Sequence, residues 1–520
     1  MERQIKFIQH LNTGYDFKGL SVPFGAAILD GKVLKEAQIK APLKTFNRHG
    51  LIAGATGTGK TKTLQLIAEG LSKQGVPVLL MDLKGDLSGL AKAGQSNTRI
   101  EERHQSVGIP FEPTAFPVEL LTISNDKGTK LRATVTEFGP VLFSKILELN
   151  DTQSGIVSVM FKYCDDHDMP LLDLKDVKKT LQYIQEDGKA EFEREYGRFS
   201  AASAGTINRK ILELEQQGAN TFFGEKSFDP EDLLRTDPQG RGYISILRLT
   251  DIQDRPKLFS TFMLSLLAEV YATFPEIGDQ EKPKLVIFID EAHLIFDSAS
   301  QALLSQIENI IKLIRSKGVG IFFCTQVPDD VPEKILSQLG LRVQHALRAI
   351  TARDRKSIKM AAENFPLSDF YKTDQVLTSL GIGEALVTVL NEKGIPTPLA
   401  ATMLCAPASH LSILSNEEID NHIKTSIIAR FYNEEIDRRS AYEILQEKMQ
   451  AFANEKNQQQ ARKVAKGRGN YSEKETPGMF ETLSKNTMMR QLGRTVVREL
   501  TRGIFGSLGV KPTRSRTTRR

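Results

Sequence analysis

Residues 51–65, LIAGATGTGKTKTLQ, constrain this chain more than any other stretch. An apolar run enters a glycine-rich turn, and a helical pattern follows. The inner segment GATGTGKT, residues 54–61, matches G-x-x-x-x-G-K-[ST] at every fixed position. Glycines let backbone N–H groups turn inward around an anion, and the start of the following helix adds unpaired donors. The pattern therefore predicts a phosphate-binding loop between a strand and a helix. An incidental Lys-Thr in a glycine-rich turn is the alternative.

The loop predicts both a nucleotide and a metal ion. Lys60 supplies a point charge at the β- and γ-phosphates, and Thr61 offers a hydroxyl to Mg²⁺. The predicted cofactors are therefore ATP and Mg²⁺. The predicted nucleotide-binding residues are Gly54, Ala55, Thr56, Gly57, Thr58, Gly59, Lys60, Thr61 and Lys62.

A phosphate-binding loop needs a carboxylate from a neighbouring strand to hold the metal ion, and residues 285–293, LVIFIDEAH, supply one. Asp290 follows a predicted buried strand, from which it can reach Mg²⁺ through the water shell of the metal. Glu291 is predicted to act as the general base toward the attacking water. Two adjacent acids at a strand end also fit a helix cap. Beside a phosphate-binding loop, however, an acid and a base together indicate hydrolysis rather than binding alone.

Other polar residues near strand ends leave two interpretations open. Gln326 lies just after the strand predicted at 319–324, where it could contact the γ-phosphate or be an ordinary polar residue. Arg315 precedes the same strand, and it either packs on its own helix or projects into the site of a neighbouring subunit. Its rivals for that role are Arg342, Arg348, Arg353 and Arg355. Asp82, Lys84 and Asp86 follow another strand, either as ligand contacts or as a charged turn.

Fully apolar strands alternate with helical patterns, which indicates a parallel sheet covered on both faces. We therefore predict an α/β fold with a mostly parallel sheet, a mainly helical insertion and a basic C-terminal tail. The predicted strands lie at 78–81, 243–249, 285–289 and 319–324, and a late strand pair is predicted at 383–390 and 396–403. The predicted boundaries are an N-terminal lead-in at 1–45, an ATPase core at 46–95 and 237–415, the insertion at 96–236, a helical extension at 416–466, and a basic linker and tail at 467–520.

Charge and composition narrow the class of protein. Residues 451–520 carry 16 Lys and Arg against 5 Asp and Glu, although the net charge of the whole chain is only +5. Such a tail suits either contact with a polyanion or solvation. Arg490, Arg494, Arg498 and Arg502 recur at a four-residue spacing there. The first residues lack the pattern of a signal peptide, and we see no apolar stretch long enough for a membrane span and no C-x-x-C pair, so we expect a cytoplasmic protein.

With both nucleotide motifs placed, the chain resembles the HerA/FtsK group of P-loop motor ATPases. More closely, it is similar to the bacterial HerA-like proteins of the YjgR type. The similarity covers most of residues 45–405, including NRHGLIAGATGTGKTKTLQ, VPVLLMDLKGDLSGLA, LVIFIDEAHLIF, LIRSKGVGIFFCTQ and LGLRVQHALRAITARD.

The resemblance implies a RecA/ASCE-like P-loop NTPase sheet with an extra strand between the phosphate-loop strand and the metal strand. It also implies ring assembly, usually as a homohexamer, and DNA threading or pumping. The residues at the nucleotide and sensor positions of the group are Lys60, Thr61, Asp290, Glu291 and Gln326. Arg315, three residues before Gly318, falls where the group often has an arginine that acts in trans.

We therefore expect ATP hydrolysis by a ring-forming motor that translocates or remodels double-stranded DNA. Two alternatives remain open. One is an ATPase that acts on a protein substrate or a secretion-type complex, with an unknown protein partner. The other is a nucleotide-dependent switch whose slow hydrolysis only sets its binding state.

Overall fold

The structure is a computed structural model that describes residues 1–466 except residues 279, 299, 300 and 437. The chain divides into two compact units. The first contains residues 1–131 and 228–434, and the second contains residues 132–227 and the chain from residue 435 onward. The predicted linker and tail at 467–520, with Arg490, Arg494, Arg498 and Arg502, lie outside the described residues.

The first unit is built on one sheet. Its strands are β1 (Ser21–Leu29), β2 (Lys32–Pro42), β3 (Gly50–Ala53), β4 (Val78–Asp82), β5 (Val118–Thr122), β6 (Thr129–Lys130), β7 (Ile244–Arg248), β8 (Leu285–Ile289), β9 (Val319–Thr325), β10 (Leu341–His345), β11 (Glu384–Thr388) and β12 (Ala400–Leu404). Across the described part of the chain these twelve strands lie in the order β2-β1-β12-β11-β10-β3-β9-β8-β4-β7-β5-β6.

The strands from β10 to β6 are parallel along the whole of that order. This confirms the predicted fold class. The predicted extra strand is β9, which lies between β3, the strand before the phosphate-binding loop, and β8, the strand before Asp290. β11 and β12 pair antiparallel, which confirms the late strand pair.

The central strands are buried along their whole length because helices cover both faces of the sheet. Phe322 of β9 packs against Phe288 of β8 and against Phe46, with ring centroids 4.9 and 5.6 Å apart. The helices of this unit are α1 (Glu2–Gly14), α2 (Lys60–Lys73), α3 (Thr98–Val107), α9 (Pro256–Thr273), α10 (His293–Ser298), α11 (Gln301–Ile314), α12 (Glu333–Leu336), α13 (Ala352–Glu363), α14 (Thr373–Ser379), α15 (Asn416–Thr425) and α16 (Ile427–Tyr432).

Regular structure begins within the predicted lead-in at 1–45. Residues 2–14 form α1, and β1 and β2 form a hairpin that joins the sheet beside β12. The hairpin turns at Asp30 and Gly31, whose φ angles are 50° and 75°. An Asp-Gly pair between apolar runs is a hairpin signal, and AILDGKVL carries it.

The second unit is helical where it is described. It contains α4 (Val135–Ile146), α5 (Asp151–Asp166), α6 (Leu174–Gln185), α7 (Lys189–Tyr196), α8 (Ala201–Gln216) and α17 (Ala441–Lys466). The buried Asp176 joins its two chain segments, because its carboxylate accepts hydrogen bonds from Ser440 Oγ at 2.5 Å and from Tyr442 N at 2.8 Å. The predicted insertion at 96–236 also includes β5 and β6, which belong to the sheet of the first unit.

We find no helix in the described part of the chain with both the length and the apolar character that a bilayer crossing requires.

Candidate nucleotide site

The phosphate-binding loop runs from the end of β3 at Ala53 to the start of α2 at Lys60. Leu64, Ile67, Ala68 and Leu71 form the buried face of α2 at helical spacing, which fixes the direction of the helix. Position 54 requires a glycine because His345 packs against it, and a Cβ there would lie 2.4 Å from the Cβ of His345. The loop therefore has no room for a side chain where it leaves the strand.

Lys60 is buried, and its ammonium group lies over the loop itself. Its Nζ donates hydrogen bonds to Gly54 O at 2.6 Å and to Ala55 O at 3.3 Å. Burial lowers the pKa of Lys60, the charge of Lys84 lowers it further, and the carboxylates of Glu291 and Asp290 oppose the shift. The lysine is thus placed at the concave face of the loop, where the sequence puts a phosphate contact.

The other predicted loop residues differ in their surroundings. Thr56 and Gly57 are exposed at the tip of the loop, and Thr61 is half-buried in the first turn of α2. Thr58 is buried, and its Oγ1 donates to Ala55 O at 2.7 Å. Lys62 Nζ donates to Leu411 O at 2.9 Å, so its ammonium group already has a partner within the protein.

Parallel strand order brings the predicted acids to the same edge as the loop. The register pairs Ala53 with Thr325 across β3 and β9, and Ile289 with Phe323 across β8 and β9. Gly54 N donates to Gln326 O at 3.1 Å, while the Gln326 side chain is exposed. The predicted site residues Lys60, Asp290, Glu291 and Gln326 therefore share the carboxyl edge of the sheet.

Asp290 and Glu291 are both buried. Asp290 Oδ2 and Glu291 Oε2 have no hydrogen-bond partner within the described residues. Burial raises the pKa of Asp290 to about 7, the charge of Lys84 opposes this, and Glu291 adds to it. Glu291 also adopts a left-handed φ of 48°. Buried polar atoms normally have a partner, so these two oxygens suit a ligand.

The donor set fits a Mg²⁺ ion. Mg²⁺ prefers oxygen ligands, and proteins usually hold it through one or two carboxylates together with substrate phosphates and water. Asp290 and the Thr61 hydroxyl would supply the protein oxygens. Within the described ranges, no cluster of three or more His, Cys, Asp or Glu side chains could hold a metal ion by itself.

Lys84, which the sequence left open between a ligand contact and a charged turn, lies in the site. Its Nζ forms an ion pair with Glu291 Oε1. His293 Nδ1 lies 3.3 Å from Glu291 Oε2, but the two atoms do not have hydrogen-bond geometry. Asp82 has a different role, since its carboxylate accepts three hydrogen bonds from the backbone of its own loop. Burial raises the pKa of Asp82 to about 6, although these backbone N–H groups oppose the shift.

Sequence reasoning missed His345, the last residue of β10. Its Nε2 lies 2.8 Å from Thr63 Oγ1 on α2, and its Cβ closes the space beside Gly54. Burial lowers the pKa of His345 to about 4, so the ring is neutral at physiological pH. The available signal was a histidine at the end of an apolar run, LRVQH, but its proximity to the loop depends on the pairing of β10 with β3.

Arg315 lies at the opposite edge of the sheet, in the short turn that precedes β9. There it lines a cleft of about 750 Å³. The basic side chains of this cleft are Arg48, Lys312, Arg315 and Arg342. Arg342 Nη1 donates to Asn364 O at 2.6 Å. The structure thus does not bring Arg315 to the loop of its own chain. Among its rivals, Arg348, Arg353 and Arg355 are exposed beyond the carboxyl end of β10.

Comparison with known proteins assigns the chain to a protein family. The family described as Helicase HerA-like C-terminal matches residues 28–514. This chain belongs to that HerA-like family. The predicted HerA/FtsK resemblance is therefore confirmed, and with it the class of the protein, a P-loop ATPase. ATP with Mg²⁺ is what ATPases of this class use.

Two archaeal relatives come from Sulfolobus acidocaldarius. The DNA import protein CedB is 25% identical over 360 residues, which cover 68% of this chain and 52% of CedB. The DNA double-strand break repair helicase HerA is 21% identical over 400 residues, which cover 73% of this chain and 70% of that protein. This chain therefore spans only about half the length of CedB.

A solved structure of the plasmid coupling protein TrwB with a non-hydrolysable GTP analogue also aligns with the chain. The alignment covers 76% of this chain and 99% of TrwB, at 14% identity and a TM-score of 0.49. That TM-score is too low to establish a shared fold by itself.

Proposed function

We propose that this protein hydrolyses ATP with Mg²⁺ and uses the reaction to translocate or remodel double-stranded DNA. The observation that carries the proposal is the meeting of Lys60 with Asp290 and Glu291 at one edge of the sheet. The names of the relatives, a DNA import protein and a DNA repair helicase, support DNA as the substrate. Such a motor would work in the cytoplasm.

The residues of the site divide the chemistry between them. Lys60 and the backbone of residues 54–59 would bind the β- and γ-phosphates, and Thr61 with Asp290 would hold Mg²⁺. When bound, Mg²⁺ supplies positive charge that stabilises the transferring phosphate oxygens. Glu291 Oε2, which accepts no hydrogen bond within the described residues and lies 3.3 Å from His293 Nδ1, would accept the proton of the attacking water. Gln326 would report the γ-phosphate to β9, since its backbone already contacts Gly54.

We further propose that the protein assembles as a homomeric ring, a hexamer by the family resemblance. The position of Arg315 supports this. It lies at the edge of the sheet away from its own loop, so it could complete only the nucleotide site of another subunit. An arginine supplied in trans stabilises the charge of the transferring phosphate and makes hydrolysis depend on assembly.

A stimulation experiment tests the proposal. The ATPase rate of the full chain would be measured alone, with duplex DNA and with single-stranded DNA of equal length, at about 50 and 200 mM salt. We expect duplex DNA to stimulate the rate and the stimulation to be lost at the higher salt, because phosphate contacts release counterions. Lys60→Ala controls for contaminating ATPases.

The outcomes separate the alternatives. ATP turnover that is indifferent to DNA would contradict a DNA motor and favour a protein substrate. Slow turnover without rings in negative-stain images, taken with a slowly hydrolysed ATP analogue, would favour a nucleotide-dependent switch. Absence of turnover under every condition would overturn the ATPase itself.

A further inference from the structure

The loop that follows β4 is held in one conformation by Asp82, the last residue of the strand. Asp82 Oδ1 accepts hydrogen bonds from Gly85 N at 2.7 Å and from Asp86 N at 3.2 Å, and Oδ2 accepts one from Leu87 N at 3.1 Å. Gly85 has a φ of 76°, and a Cβ there would lie 2.7 Å from Thr250 Cγ2. Lys84 therefore projects from a loop whose backbone is fixed on both sides.

From this loop, Lys84 reaches across to the next strand. β4 and β8 are neighbours, and Lys84 Nζ forms an ion pair with Oε1 of Glu291, which follows β8. The side chain of Lys84 is 41% exposed and that of Glu291 is 10% exposed. The pair thus joins a carboxylate almost shielded from water to a lysine that remains partly hydrated.

The two oxygens of Glu291 differ as a result. Oε1 is held by Lys84, whereas Oε2 is buried and, although His293 Nδ1 lies 3.3 Å away, has no hydrogen-bond partner among the residues described. A general base needs one oxygen oriented toward water and a carboxylate that does not rotate. Glu291 itself has a left-handed backbone, with a φ of 48°.

We propose that Lys84 is a positioning residue that orients the carboxylate of Glu291 as general base, an inference that rests on the proposed ATPase function. Lys84 also balances the charge of the edge, where the carboxylates of Asp290 and Glu291 would otherwise face the ammonium group of Lys60 alone. Its loss should therefore lower the rate of hydrolysis and leave the binding of ATP nearly unchanged.

The first test separates kcat from nucleotide affinity. Lys84→Met keeps the apolar stem and removes the charge, and Lys84→Arg keeps the charge. The matched control is Lys92→Met, because Lys92 is also a half-exposed lysine in an ion pair, with Glu418 at 2.8 Å. We expect Lys84→Met to lower kcat about 10- to 100-fold, which is no more than the lower end of the 10²–10⁴ contributed by a whole general base.

The affinity of Lys84→Met for a fluorescent ATP analogue should stay within about twofold of that of the unmodified protein, because a residue that only orients the general base affects the chemical step and not nucleotide binding. Lys84→Arg should lose less kcat than Lys84→Met, and Lys92→Met should lose none. Unchanged or increased kcat in Lys84→Met would overturn the inference, as would a loss confined to affinity.

The second test asks whether Lys84 acts through Glu291. In a double-mutant cycle, single-turnover hydrolysis is compared for Lys84→Met, Glu291→Gln and the double variant. If Lys84 only orients Glu291, its removal should cause no further loss when Glu291 is already Gln. An equal fold-loss in both backgrounds would overturn the inference, because Lys84 would then act on the phosphates directly.

The proposed ATPase function and the role of Lys84 can be refuted separately. If the unmodified protein does not turn over ATP, the proposed function falls and this inference falls with it. If the unmodified protein hydrolyses ATP and Lys60→Ala does not, while Lys84→Met equals Lys92→Met, the ATPase stands and only the role of Lys84 is lost.

Discussion

Two histidines are buried at opposite edges of the same sheet, and their partners differ. His49 precedes β3 at the amino edge, where its Nδ1 accepts from Ile321 N at 3.0 Å and its Nε2 donates to Ile311 O at 2.9 Å. His345 ends β10 at the carboxyl edge, where its Nδ1 has no hydrogen-bond partner within the described residues. Burial lowers the pKa of both to about 4. Both rings are thus buried, but both nitrogens of His49 have hydrogen-bond partners, whereas one nitrogen of His345 has none within the described residues.

The same difference extends to the residues around them. The carboxyl edge mixes ammonium groups with carboxylates and leaves unpartnered oxygens on Asp290 and Glu291. In the cleft at the amino edge, the charged side chains that line the described part are all basic. The carboxyl edge therefore gathers the residues that the sequence predicts for the nucleotide site, whereas the described cleft at the amino edge is lined by basic side chains.

The largest effect should come from Lys60→Ala, which removes the phosphate contact from the carboxyl edge. We expect no detectable ATP turnover and strongly weakened binding of a fluorescent ATP analogue, because the loop loses its only lysine at the β- and γ-phosphate position. Lys73→Ala, an exposed lysine at the end of the same helix, is the matched control and should behave normally. Normal turnover by Lys60→Ala would contradict the phosphate-binding loop.

The amino edge is tested by Arg315→Ala. If Arg315 completes the site of a neighbouring subunit, its removal should lower turnover by about 10³-fold or more. Mixing Arg315→Ala subunits with Lys60→Ala subunits should then restore part of the activity, since some interfaces regain both groups. Arg348→Ala, on the carboxyl side of the sheet, is the rival variant. Failure to restore activity in assemblies shown to be mixed would count against the trans role.

Glu291→Gln separates chemistry from binding within the carboxyl edge. The variant should still bind ATP, but hydrolysis should fall by about 10²- to 10⁴-fold, the usual contribution of a general base. Single-turnover kinetics measure the loss, and Glu281→Gln, an exposed glutamate, provides the control. Unchanged hydrolysis would show that Glu291 is not the general base, and only the proposed role of Asp290 in holding Mg²⁺ would remain.

The smallest expected effect is on the pH dependence of stability, and it comes from His49, whose two ring nitrogens both have hydrogen-bond partners. Native His49 has a pKa of about 4, while an unfolded histidine has about 6.5, so acid protonates the unfolded state first. Stability is therefore lost as the pH falls from about 6.5 toward 4, by up to about 3 kcal/mol for this residue. His49→Gln should show a shallower fall between pH 7.5 and 4.5 in urea unfolding. The exposed His10→Gln should keep the original slope, and an equal slope in both variants would refute the assignment.

The central strands and the phosphate-binding loop could be predicted because their signals are local. β8 occupies the predicted residues 285–289. This strand could be predicted because five consecutive apolar residues followed by two acids are visible in the sequence without knowledge of the neighbouring strands. The lead-in was harder to interpret. Its Asp30-Gly31 turn was present in the sequence, but β1 joins the sheet by pairing with β12, whose residues lie about 375 positions later in the chain.

The sequence by itself determined the parts: a phosphate-binding loop ending at Lys60 and Thr61, an adjacent acid pair at 290 and 291, and apolar strands that only a covered parallel sheet can bury. The tertiary structure alone decided which parts meet. It placed Lys84 on Glu291, set His345 behind Gly54, and sent Arg315 to the opposite edge. The physical reason is that chemical type and periodicity are properties of short segments. Strand order and side-chain proximity arise only when segments far apart in sequence bury their apolar faces together.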